Sequence, residues 1–134
     1  MLIQEAANTI ARYIEISMTD LTANEFARDW IEAWNSHDLD RVLAHYDEDF
    51  EMRSPFIAAF AGESSGRLRG KPQIRRYWEI ALKRVPNLRF ELLEVFSGVH
   101  SLVIRYRGHK GLVAEMFSFG PSGKVISASA HYAE

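Results

Sequence analysis

No cysteine occurs in the 134 residues, so the chain has no disulfide framework, no thiolate metal site and no thiol nucleophile. Charge of one sign is not in excess either. A formal net charge of -2 gives no general attraction for nucleic acid, and the basic group Arg67, Arg69 and Lys71 reads as solvated surface or as a contact for an anionic group at a pocket mouth. Long apolar runs are also missing. Across residues 1–17, Leu2, Ile3, Ala6, Ile10, Tyr13 and Ile14 recur at helical spacing, but Gln4, Glu5, Asn8, Arg12 and Glu15 break the run. A secretory leader needs an unbroken apolar stretch after a basic start, and a membrane span needs roughly 18 apolar residues in succession. Neither pattern occurs, so no membrane partner is expected and a cytoplasmic setting is. Residues 1–17 read as an amphipathic extension packed on the domain or on a partner subunit, or as sequence upstream of a start at Met18. The domain itself is expected over 18–134.

Chemical signatures are equally sparse. There is no G-x-S-x-G elbow, no phosphate-binding glycine loop and no dinucleotide fingerprint. His37, His45, His100, His109 and His131 lack the spacing of metal ligands. The acidic run Asp47, Glu48 and Asp49 lacks the glycine and distal glutamate of a calcium loop and is expected in a solvated turn. No metal and no cofactor are therefore expected.

What the chain does have is pattern. With 47% hydrophobic and 25% charged residues, it has the profile of one ordinary globular domain. Thr22 followed by Glu25 has the spacing of a capping box, just ahead of the helical repeat Phe26, Trp30, Ile31 and Trp34. That helix should end near Asn35. Asp38 can cap a second, short helix through Leu39, Val42, Leu43 and Tyr46, after which Phe50 to Pro55 alternates as a strand. Residues 56–66, apolar and then rich in Gly and Ser, read as a gating flap or as a surface loop. Gly70 and Pro72 lead into a third helix with one apolar face: Ile74, Tyr77, Trp78, Ala81, Leu82 and Val85. The segments 88–96, 100–107, 111–119 and 124–132 have strand length and are separated by turn residues, which predicts an antiparallel meander. The fold class is therefore α+β, with helices covering one face of the sheet.

The order helix, turn, helix, strand over Asp29 to Pro55, taken with Glu115, resembles the nuclear-transport-factor-2-like superfamily of ketosteroid isomerases and SnoaL-like polyketide cyclases. The resemblance covers residues 22–132. It implies a cone-shaped, cystatin-like fold: three N-terminal helices on a curved antiparallel or mixed sheet around an interior cavity. Three active positions of the isomerases fall on Trp30, Tyr46 and Ser54, and their oxyanion-donating aspartic acid falls on Glu115. Trp30 replaces a tyrosine donor, Ser54 replaces the aspartate base, and Trp78 falls on a further network position.

With Ser54 pointing inward as the resemblance implies, strand alternation puts Phe50 and Met52 on the same face. Val113, Glu115, Phe117 and Phe119 form a second row, Leu102, Ile104 and Tyr106 a third, and Ile126, Ala128, Ala130 and Tyr132 a fourth. The chamber is apolar and aromatic, as small-molecule sites are. Candidate catalytic residues are Glu115, Ser54 and Tyr46. Candidate substrate contacts are Trp30, Trp34, Met52, Phe56, Trp78, Ile104, Tyr106, Phe117, Ala128 and Tyr132. A buried Glu115 should have a raised pKa and could serve as acid or base.

Two functions remain open at this point. One is a cofactor-free isomerase, cyclase or hydratase acting on a small apolar carbonyl compound. The other is a non-catalytic ligand-binding or dimeric assembly domain. A homodimer is expected through the outer sheet face, where Leu112, Ala114 and Met116 are apolar.

Overall fold

A computed structural model describes residues 2–8 and 22–134. Residues 2–8 are helical (α1), with Leu2 and Ile3 exposed. The rest of the expected extension, including Ile10, Tyr13 and Ile14, lies outside the described residues.

Helix α2 (Ala23–Asn35) starts as its sequence requires: the Thr22 hydroxyl accepts from the Glu25 amide at 3.1 Å. Its buried stripe is Phe26, Ala27, Trp30, Ile31, Ala33 and Trp34, the spacing of one face of an α-helix. Asp38 caps α3 (Leu39–Leu43) through the Arg41 amide. Asp29 joins the two helices by pairing with Arg41 and by accepting from His45 Nε2 at 2.6 Å.

Strand β1 (Tyr46–Arg53) starts earlier than its alternation suggests. Asp47, Glu48 and Asp49 are part of the strand rather than a turn before it. Their region is bulged: β1 pairs with the last strand at Tyr46 and again only from Glu51, so the acidic residues sit where the ladder is interrupted.

Residues 56–66 also differ from expectation. They open as a short helix, α4 (Pro55–Ala61), and end in a turn. Pro55 occupies the first turn, where its missing N–H costs nothing, and Gly62 ends the helix at φ 72, a left-handed conformation suited to glycine. The short β2 (Arg67–Arg69) follows, then α5 (Lys71–Arg84), with Ile74, Tyr77 and Trp78 buried.

Four strands complete the domain: β3 (Glu91–Gly98), β4 (Ser101–Gly108), β5 (Gly111–Phe119) and β6 (Val125–Tyr132). They form the expected antiparallel meander. The six-stranded sheet runs β2-β1-β6-β5-β4-β3, with β1 parallel to β6, so the sheet is mixed. On β6 the alternation breaks near its start. A register shift between Ser118 and Phe119 pairs Phe119 with Val125, which turns Val125 into the core and leaves Ile126 exposed.

The core joins the α2 stripe to the inner sheet face. Phe26 meets Phe117 and Phe119 edge-on, with centroids 5.3 and 5.2 Å apart, and Trp30 meets Phe117 at 5.3 Å. Each such fully buried aromatic contributes roughly 1.5–3 kcal/mol relative to exposure. That aromatic plug fills one end of the inner face. The other end stays open.

Candidate active site

The open end is a cavity of about 310 Å³, within the range of small-molecule sites. Trp30 and Trp34 reach it from α2, Tyr77 and Trp78 from α5, Met52 from β1 and Glu115 from β5. Their rings interlock: Trp34 meets Trp78 edge-on at 5.0 Å and Trp30 at 6.2 Å.

Among the described residues Glu115 is the one acidic group on the cavity wall, and it is only 3% exposed. Its register neighbours are Ile104 and Ala130, so nothing charged stands beside it in the sheet. Tyr106, opposite Val113, is its diagonal neighbour on the same face, within reach of a long side chain. The Tyr106 hydroxyl donates to Glu115 Oε1 at 2.8 Å. Oε2 makes no hydrogen bond among the described residues. Burial raises the carboxyl pKa from 4.5 to about 7, with the Tyr106 bond opposing the rise. A group poised there can give or take a proton near neutrality.

Three other phenols surround this carboxyl closely enough for its charge to raise their pKa values. Burial is the larger cause for Tyr46, Tyr77 and Tyr132 alike. Tyr46 is fully buried and its hydroxyl accepts from Trp30 Nε1 at 2.9 Å. The indole, itself on the cavity wall, therefore holds the phenol behind it.

Of the residues expected at the site, Glu115, Trp30, Trp34, Met52, Phe56, Trp78, Tyr106 and Tyr132 line the cavity. Five do not. Tyr46 lies behind the wall as just described. Ser54 is the N-cap of α4: its hydroxyl accepts from the Phe56 amide at 3.3 Å and lies 3.5 Å from the Tyr132 hydroxyl. Phe117 is covered by Phe26 and Trp30 of α2, and Ile104 and Ala128, opposite Glu115 and Phe117 on the same sheet face, are buried in the core without lining the cavity. Alternation gives the face of a strand; it does not say how far along that face a helix lies.

Several lining residues were not foreseen. Tyr77, Ala81 and Val85 belong to the apolar stripe of α5, which was legible, and simply face the cavity at its C-terminal half. Phe60 comes from α4, where it stacks on Phe56 at 5.8 Å, and Phe56 in turn meets Tyr132 at 4.6 Å. The 56–66 segment thus covers the cavity with two rings held by a helical turn. Phe90 alternates with Leu88 and Leu92 within the segment expected as a strand, yet it lies ahead of that strand. It stacks on Trp30 at 5.8 Å because Asn35 grips it, donating to its carbonyl at 2.9 Å and accepting from its amide at 2.7 Å. His37 Nε2 donates to the Leu88 carbonyl at 2.8 Å, so residues 88–90 are tied to the end of α2 and the strand starts only at Glu91. Among the described residues no cluster of three or more His, Asp or Glu could hold a metal ion, and no helix is long and apolar enough to cross a membrane.

Comparison with known proteins agrees with this architecture. A family profile described as the SnoaL-like domain matches residues 27–132. The crystal structure of a SnoaL-like protein of unknown function from Burkholderia thailandensis E264 is 54% identical, with a TM-score of 0.80, over 84% of this chain and 94% of that one. A protein of unknown function with a cystatin-like fold from Methylobium petroleophilum PM1 shares 19% identity and a TM-score of 0.66, over 84% and 76% of the two chains. The epoxide hydrolase/cyclase-like enzyme SalBIII, of pyran ring formation in the polyether salinomycin, shares 13% identity and a TM-score of 0.63, over 83% and 90%. The last two likenesses concern the fold alone. No curated protein matches the chain.

Proposed function

The chain belongs to the SnoaL-like domain family, and from that premise we propose that it binds a small, flat, apolar carbonyl compound and catalyses a cofactor-free proton transfer on it, as an isomerase, cyclase or hydratase would. The observation that carries the reading is Glu115: a buried carboxyl on the wall of an aromatic cavity, with one oxygen bonded to Tyr106 and its pKa near 7. In its ionised form Glu115 takes the proton from the carbon next to the ligand carbonyl, leaving an enolate, and then returns that proton to a different carbon or to the oxygen. Atoms balance without a cofactor. Trp34 supports a carbonyl ligand as well, because its buried indole N–H has no acceptor among the described residues, and an unmet donor costs about 1–3 kcal/mol until something accepts from it.

The test is deuterium exchange at the α-carbon of flat aromatic ketones, followed by proton NMR in D₂O. The parent protein should accelerate exchange and Glu115→Gln should not. Equal exchange with both proteins would rule Glu115 out as the proton carrier.

A second reading is a ligand-binding domain without chemistry. Ser54 favours it, since the position that carries the aspartate base in ketosteroid isomerases here holds a hydroxyl engaged as a helix cap. Binding of the same ketones with no exchange at any pH would select it. Under either reading the partner expected at the outer sheet face is a second copy of this chain, where Met116 and Phe96 are exposed.

A further inference from the structure

The cavity opens beside three exposed residues that could carry positive charge: Arg84 at the end of α5, and His109 and Lys110 in the β4–β5 turn. Two are held by rings rather than by carboxylates. The Arg84 guanidinium lies 4.7 Å from the Phe60 ring centroid, and Lys110 Nζ lies 5.5 Å from that of Phe56. Because Phe56 and Phe60 stack on each other, both cations belong to one rim around α4. Neither makes an ion pair among the described residues, and these two alone among the described Lys and Arg residues both line the cavity and sit over a ring. Glu115, the acidic residue of the wall, is buried beneath them.

An apolar chamber with unpaired cations at its mouth and a carboxyl at its inner wall is polarised. We propose that its ligand is an apolar aromatic keto acid, whose carboxylate is held at the mouth by Arg84 and Lys110 while its ketone reaches inward to Glu115. The charge assignment follows from three features. An anion entering carboxylate-first would approach the charge of Glu115, so the cations fix the direction of entry. Cation–π contacts hold a guanidinium or ammonium in place without neutralising it, leaving both available to an incoming anion. The mouth also lies at the C-terminal end of α5, where the helix dipole is negative; two cations beside it suit a monoanion better than a doubly charged phosphate. This assignment deepens the proton-transfer reading and rests on it for the position of the ketone.

The experiment compares 3-benzoylpropionate with its neutral amide, using quenching of Trp30, Trp34 and Trp78 fluorescence to obtain Kd at about pH 8. The acid should bind about tenfold more tightly than the amide at low salt, with the preference shrinking in about 0.5 M NaCl as partly solvated ion pairs are screened. Arg84→Gln and Lys110→Gln should each reduce the acid-to-amide preference, and the double variant should abolish it. Both residues are exposed, and unchanged thermal melting verifies the fold. Equal affinity for acid and amide in the parent, or a preference that survives the double variant, overturns the anion site. Deuterium exchange on the same two ketones separates this from the reaction: acid preference without exchange removes the proton transfer and keeps the anion site, while exchange without acid preference does the reverse.

Discussion

Glu115 keeps its proton in the folded protein at pH values where a solvent-exposed glutamate has lost it. The sign of the resulting pH dependence is fixed. Between about 4.5 and about 7 the folded state holds a proton that the unfolded state releases, so stability falls as pH rises through that window and levels off above it. At about 1.4 kcal/mol per pKa unit the loss is on the order of 3 kcal/mol. Glu115→Gln should remove this slope and be more stable than the parent above about pH 8, measured by urea unfolding at acidic and alkaline pH. Tyr106→Phe acts in the other direction on the same group. Losing the hydroxyl removes the contact that holds the pKa down, so the Glu115 titration seen by carbon NMR should move further up. A Glu115 that titrates at or below the free value would make it a paired structural carboxylate. At this scale the sequence was partly legible: a lone carboxylate in the row Val113, Glu115, Phe117, Phe119 marks itself. Its partnership with Tyr106 was not, because it depends on Tyr106 standing opposite Val113, and register between strands is set by the whole hairpin rather than by either residue.

Elements with a clear period or cap were readable, as α2, α3, α5 and the meander show. Those set by distant partners were not. Helix α4 is too short to display a period, and only Pro55 behind a serine hints at it. The delayed start of β3 depends on Asn35, more than fifty residues earlier, which does for Phe90 what a neighbouring strand would do. Replacing Asn35 with Ala strands the Phe90 amide and carbonyl, and stability should fall by about 1–3 kcal/mol in chemical unfolding. A second readout separates this from a general loss of folding: Phe90 would leave the Trp30 ring, and the tryptophan emission of the still-folded variant should shift. Ser54→Ala should cost about 1 kcal/mol as a lost cap. Ser54→Asp should restore the cap, since aspartate serves that position equally well.

For the whole molecule, the exposed side chains of Phe96 and Met116, both in register with Val103, lie on the face away from the cavity, and a stable dimer needs roughly 800 Å² from each partner. Sedimentation at micromolar concentration should give a dimer, and Met116→Lys should shift it to monomer; a monomeric parent would remove the prediction. The mixed sheet order also bears on how the molecule comes into being. Strand β6, which spans Val125–Tyr132, is an interior strand bonded to β1 on one side and β5 on the other. A chain made from its N-terminus therefore carries two bare β edges until its last strand emerges, and the parallel closure onto β1 must bring together segments more than seventy residues apart. Contacts of such long sequence separation slow folding and leave unpaired strands open to one another. The same closure that walls the cavity makes a nascent chain ending before Val125 a candidate for aggregation and for chaperone capture.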